Sequence, residues 1–262
     1  MQSFRALSPS AIRRTSLWYM SMFGWVFIAF VNILLVGQQT GPPPNVYYCL
    51  AQASLVYSST AYSAMTFAAY MTQTYCSIAS PELKHLSNRP LFVALLHIIP
   101  SLVFVAIVLE ILIVGLKQKN LIEREPYGMY CHLQTSTPAH VTAGVILIGM
   151  SIVLVFELLI FRLIRQTSQG VRSVSRNSMS VAQESFSREI FIRMAVFSTW
   201  AFICVGLSSI QYLPDTMSVD YAKVQIVQAT LPCIATLTVG TQRDVMNTCL
   251  KRRKFFESRT EL

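Results

Sequence analysis

Charge is what this sequence lacks most. Asp, Glu, Lys and Arg make up 13% of its 262 residues, about half of the roughly 25% usual in soluble domains, and residues 15 to 81 contain none of them. A water-facing surface of that length does not forgo charge, which excludes an ordinary soluble domain. Catalytic signatures are missing as well. There is no GxSxG, HExxH or P-loop pattern and no spaced Cys/His cluster, and no two carboxylates share a predicted helix face. This argues against an enzyme and against a metal or organic cofactor. A retinal pigment needs a lysine in mid-span, and Lys223 stands instead at the outer end of its segment.

What is present is oil. Hydrophobic residues fill 53% of the chain and the mean hydropathy is +0.49. Six segments reach the roughly 20 apolar residues that a membrane-crossing helix requires: 17–36, 49–75, 91–116, 141–164, 190–212 and 222–240. GQQTGPPPN cannot continue a helix, PELKHLSNRP brings charges and two prolines, and Pro214 with Asp215 follows the fifth segment. The expected fold is therefore all-α, an integral membrane bundle over residues 1–240. A cytoplasmic amphipathic helix and tail follow over 241–262. The run after Arg13 and Arg14 is longer than a signal-peptide core, and no small-residue cleavage pattern follows before GPPPN, so it is read as a span.

The net charge of +9 fits membrane orientation better than nucleic acid, because the basic residues cluster between apolar runs. With a cytoplasmic amino terminus, only Lys117, Lys119, Arg124 and Lys223 of the 21 Lys and Arg face outward. The positive-inside rule then places both termini in the cytoplasm, and the plasma membrane is the expected location. In this topology Cys49 and Cys131 alone of the six cysteines face the oxidising side. A disulfide between them is permitted, two free thiols being the alternative.

A cysteine opening one helix, a second in the loop before the fourth span, a long Ser/Arg-rich inner loop and a short amphipathic helix after the last span resemble a G-protein-coupled receptor. The six spans correspond to helices 2 to 7 of the seven-helix fold, and the first helix has no counterpart. LTVGTQRDV, residues 237–245, is similar to the junction in fungal seven-helix receptors. AYMTQTYCS in place of Asp/Glu-Arg-Tyr, Trp200 without a following proline, and LPCIATLTVG in place of an Asn-Pro motif set the chain apart from animal rhodopsin-type receptors. The resemblance implies the Cys49–Cys131 disulfide, an extracellular ligand, a heterotrimeric G protein as partner and no cofactor. It also makes the last basic stretch a helix lying in the inner interface. There Val245, Met246, Cys249, Leu250 and Phe256 face lipid, and the KRRK cluster of 251–254 lies near anionic headgroups.

In that topology Gln52, Tyr57, Trp200, Gln225 and Gln228 line the outer cavity, though Gln, Ser and Trp also bridge packed helices. Glu110, in the outer third of its span, is either a counter-ion for a cationic ligand or a neutral carboxyl bonded to a neighbouring helix. Arg162, Arg165, Arg188, Arg193 and Arg243 ring the cytoplasmic opening and are the candidate G-protein surface. Glu157 is placed to pair with Arg193 and hold that opening closed. His97, without a partner at metal spacing, is structural. Residues 165–188 alternate arginine and serine with no apolar face, a flexible loop open to kinases. The rival reading is a six-span transporter or channel subunit, against which stands the lack of an internal repeat between residues 17–116 and 141–240.

Overall fold

The structure is a computed structural model describing residues 15–38, 41–42, 44–124 and 130–172, together with positions 196, 198–200, 202–203, 230 and 233–234. The chain runs through α1 (Ser16–Ile33), α2 (Val46–Ala79), α3 (Pro81–Ser87) and α4 (Pro90–Lys117), then a 3-10 turn at Lys119–Leu121. Two short strands, β1 (Ile122–Arg124) and β2 (Cys131–Leu133), precede α5 (Ser136–Arg172). The first four expected spans all fall on helices. The fifth and sixth, 190–212 and 222–240, lie almost wholly outside the described residues, and the helix after residue 240 wholly so.

Two departures from the expected pattern have local causes. PELKHLSNRP breaks the span, but the break holds a short helix of its own, because each proline opens a helix where its missing N–H is no loss. Pro81 starts α3 behind a Ser80 side chain that accepts from the Leu83 N–H, and Pro90 starts α4. The second departure qualifies an all-α fold. Three residues on each side of the loop between α4 and α5 pair as an antiparallel hairpin, with Ile122 opposite Leu133, Glu123 opposite His132 and Arg124 opposite Cys131.

Contacts between helices fix their directions. On α1 and α2 the partners run in opposite order. Tyr48 hydroxyl donates to Leu34 carbonyl, Gln52 to Val31 carbonyl, and Gly24 meets Ser63. The same holds for α2 and α4, where Leu50 meets Gly115 and Tyr62 meets Phe104. Partners rise together on α2 and α5, Ala64 with Gly149 and Tyr75 with Phe156, and on α1 and α4, Ser16 with His97 and Phe27 with Phe104. Helix α2 therefore runs with α5 and against α1 and α4, the up-and-down alternation of a bundle.

Helix α2 is the hub, touching α1, α4 and α5. It has no charged residue over its 34 positions, and its buried positions are small: Ala53, Ser58, Ser59, Ala61, Ser63, Ala64 and Ala68 among them. Small residues let backbones approach where no hydrophobic gain separates helix contact from lipid contact. Three glycines on the neighbours complete the approach. A Cβ on Gly24 would sit 2.7 Å from Ser63 Oγ, one on Gly149 would sit 3.3 Å from the Ala64 carbonyl, and one on Gly115 would overlap Leu50. The buried hydroxyls of Ser54, Ser58 and Thr66 and the half-buried Thr72 donate to carbonyls three or four residues earlier on their own helix, while Ser63 Oγ has no hydrogen-bond partner among the described residues.

The other helices carry the apolar surface. α1, α4 and residues 136–166 of α5 are each long and apolar enough to cross a membrane. α4 exposes Leu91, Leu102, Leu109 and Leu116, and α1 exposes Tyr19, Phe23, Val26 and Phe30 along one stripe. Contiguous apolar faces of this extent belong in lipid, so the molecule is embedded in a membrane.

Candidate functional site

The described residues converge at the end of the bundle where α2 begins. Asn45 caps α2 by accepting from the Tyr47 N–H, which starts the helix early enough for Cys49 and Gln52 to lie one turn inside it on the same face. Cys49 is bonded to Cys131, with Cα atoms 5.3 Å apart. Gln52, 1% exposed, uses both ends of its amide. Its oxygen accepts from the Cys131 N–H at 3.0 Å and its nitrogen donates to the Val31 carbonyl at 3.4 Å. One side chain thus joins α1, α2 and the hairpin.

The hairpin has further anchors. Arg124 donates to the carbonyls of Gln38 and Gly41, holding β1 to the link between α1 and α2. Lys119 donates to the Tyr47 hydroxyl and lies 4.8 Å from the centre of its ring. That contact lowers the Tyr47 phenol below its ordinary value, chiefly through the hydrogen bond and then through the ammonium's charge. Ile122, Cys131 and Leu133 are buried in one cluster with Leu35, Leu50, Ala53 and Ile107. On the other face of the hairpin is His132. Burial holds its imidazole below the usual value, with Glu123 pulling the other way.

Among the expected ligand residues, Gln52 is thus committed to Cys131 and Val31. Tyr57 is partly buried against the same cluster. The Leu50–Gly115 and Tyr62–Phe104 contacts bracket both Tyr57 on α2 and Glu110 on α4, which places those two at similar depth. Trp200 donates from its indole nitrogen to Thr230 Oγ1 at 3.1 Å, a bridge between the fifth and sixth expected spans. Gln225 and Gln228 lie outside the described residues.

At the opposite end, Arg162 is exposed and Arg165 lies 4.1 Å from the centre of the Phe161 ring. Arg188, Arg193 and Arg243 lie outside the described residues, as does the 173–188 part of the Ser/Arg-rich loop. Glu157 is buried at 8% exposure and accepts from the Ser198 hydroxyl. His97 bridges Ser16 Oγ, at 2.8 Å, and the Val93 carbonyl, at 2.7 Å, joining α1 to α4. Among the described residues no group of His, Cys, Asp and Glu is arranged to hold a metal.

Arg124, His132 and Ser198 are the residues that sequence reasoning missed. Pairing between Cys131 and Arg124 across a seven-residue interval leaves no periodic signal, and Ser198 lies 41 positions from its partner. Compared with known proteins, the chain matches no family model and no curated protein.

Proposed function

We propose that this chain is a G-protein-coupled-receptor-like membrane protein that senses an extracellular ligand and signals to a heterotrimeric G protein. The observation that carries this reading is the Cys49–Cys131 cross-link, which ties the outer opening of the hub helix to the loop ahead of α5. Together with the LTVGTQRDV junction after the last apolar segment, it supports reading the six spans as helices 2 to 7 of a seven-helix receptor. In this reading six spans leave both termini cytoplasmic, and Tyr57, Glu110 and Trp200 border the ligand cavity, with Gln225 and Gln228 completing it. Gln52 supports the cavity's lid. Arg162, Arg165, Arg188, Arg193 and Arg243 face the G protein. A ligand acts here only by binding one helix arrangement better than another.

The test is guanine-nucleotide exchange on heterotrimeric G proteins in membranes containing the protein, across a panel of peptide, sugar and nucleotide ligands. Ligand-dependent exchange is expected. No exchange with any ligand, together with solute or ion flux in reconstituted vesicles, replaces the receptor with a transporter or channel. Orientation is checked separately with Gln2→Cys and Ser258→Cys, which an impermeant thiol reagent leaves unlabelled in intact cells.

A further inference from the structure

The hairpin carries a titratable pair that neither the disulfide nor Gln52 uses. Its register sets His132 directly opposite Glu123, where facing Cβ atoms lie about 5 Å apart. Strand alternation puts Ile122, Arg124, Cys131 and Leu133 on one face and this pair on the other. Glu123 is exposed, yet His132 is not simply in water. Its Nδ1 is buried and has no hydrogen-bond partner among the described residues. A neutral imidazole bears this at the cost of one unmade hydrogen bond. An imidazolium does not, because both ring nitrogens then carry hydrogens and a buried charge joins the buried donor.

The next residue back is the one that matters to the bundle. Cys131 donates its N–H to Gln52, and Gln52 in turn holds Val31. Any swing of the 131–133 backbone is transmitted to the joint between α1 and α2.

We propose that His132 is a proton-binding site through which acidification of the outer side frees the hairpin backbone from Gln52. A proton from bulk water adds to the ring, and the imidazolium turns out of its buried position toward the Glu123 carboxylate, which accepts the new N–H. The Cys131 N–H then leaves the Gln52 oxygen, while the disulfide keeps the hairpin tethered. Besides Glu123, the groups at this end that can bear charge are, among the described residues, Arg124, Lys117, Lys119, Tyr47, Tyr48, Tyr130 and, on α5, His140, whose imidazole is taken out of the comparison by running the series in a His140→Gln background. On β1, Arg124 is fixed to the Gln38 and Gly41 carbonyls. α2 presents only Tyr47 and Tyr48 at this end, and the Lys119 ammonium is bonded to Tyr47. Glu125 lies outside the described residues.

Hydrogen exchange of the 130–135 peptide in the purified full chain tests this, corrected for intrinsic chemical exchange and run from about pH 7.5 to about pH 5. Protection is expected to fall as pH drops through the imidazole range, by up to about tenfold per pH unit because one proton is taken up on opening. His132→Gln is expected to abolish that slope. Glu123→Gln is expected to move its midpoint to lower pH, since the imidazolium loses its acceptor, and it serves alone if His132→Gln does not fold. A flat wild-type profile, an unchanged slope in His132→Gln, or an unmoved midpoint in Glu123→Gln overturns the proposal. The inference needs only that the hairpin meets an aqueous compartment. It stands or falls independently of G-protein coupling.

Discussion

The backbone N–H of Cys131 donates to the side-chain oxygen of Gln52 at 3.0 Å, one helical turn below the cysteine to which Cys131 is covalently joined. The two restraints do different work: the disulfide limits how far the hairpin can travel, and Gln52 sets its orientation. Replacing Gln52 by leucine is expected to keep the disulfide while orphaning a buried N–H, a loss of about 1–3 kcal/mol. In detergent the thermal midpoint is expected to fall by roughly 2–4 °C per kcal/mol. A Gln52→Leu protein as stable as the parent removes the amide from the hub.

The glycine contacts with α2 give a graded series. Gly24→Ala drives a methyl to 2.7 Å from Ser63 Oγ, and Gly149→Ala meets main chain at 3.3 Å, whereas nothing lies within 4 Å of a Cβ at Gly144. Overpacking of this kind costs roughly 1–3 kcal/mol. Gly24→Ala can be relieved by rotating a serine hydroxyl, but Gly149→Ala requires helices to part. The expected order of unfolding midpoints is therefore Gly144→Ala highest, at or above the parent, and both contact variants below it. Equal midpoints for Gly144→Ala and Gly149→Ala contradict the close approach of α5 to α2.

Much of this fold is legible in residue order, and the illegible parts share a cause. Apolar length finds α1 and α4 to within a few residues and the middle of α5, whose helix runs on past the oily stretch at both ends, from Ser136 to Arg172, since each needs only to be oily enough for lipid. α2 is visible by its lack of charge, but its position at the centre is not, because that depends on glycines at 24, 115 and 149 on three other helices meeting Ser63, Leu50 and Ala64 on one. Compartment chemistry permits the Cys49–Cys131 bond without specifying it. Glutamine is a cavity-lining residue and a packing residue alike, so Gln52 reads either way until Cys131 and Val31 are seen beside it. The three-residue strands are too short for alternation to register.

Breaking the disulfide measures how much of the hairpin end depends on covalent restraint. It closes a sequence separation of 82 residues, which in the chain-entropy account stabilises by about 2–5 kcal/mol. Cys49→Ser with Cys131→Ser is expected to lower the unfolding midpoint and to raise hydrogen exchange selectively in residues 122–133. The α2–α5 contacts at Ala64 and Tyr75 are expected to keep their protection. Uniform loss of protection along α2 would mean that the bond holds the whole bundle and not its hairpin end alone.

Glu157 provides the sharpest separation between two pictures of the end of the bundle away from the hairpin. Glu157 is buried on the face of α5 whose Val153 and Ile160 pack with Phe67 and Met71 of α2, and its carboxyl accepts from Ser198. A hydroxyl donor is satisfied by an amide oxygen as well as by a carboxyl oxygen. If Ser198 is the partner that matters, Glu157→Gln is expected to change stability by less than about 1 kcal/mol, while Ser198→Ala costs about 0.5–1.5 kcal/mol. The sequence alone suggests Arg193 as partner instead, and an ionic pair in this setting behaves differently. Glu157→Gln would then strand a guanidinium away from water and cost about 3–5 kcal/mol, and Arg193→Leu with Glu157→Leu together would recover most of it. Unfolding midpoints of Glu157→Gln, Ser198→Ala and the Arg193→Leu/Glu157→Leu double variant decide between them. The expected result is a mild Glu157→Gln, a comparable or larger loss in Ser198→Ala, and no rescue in the double variant.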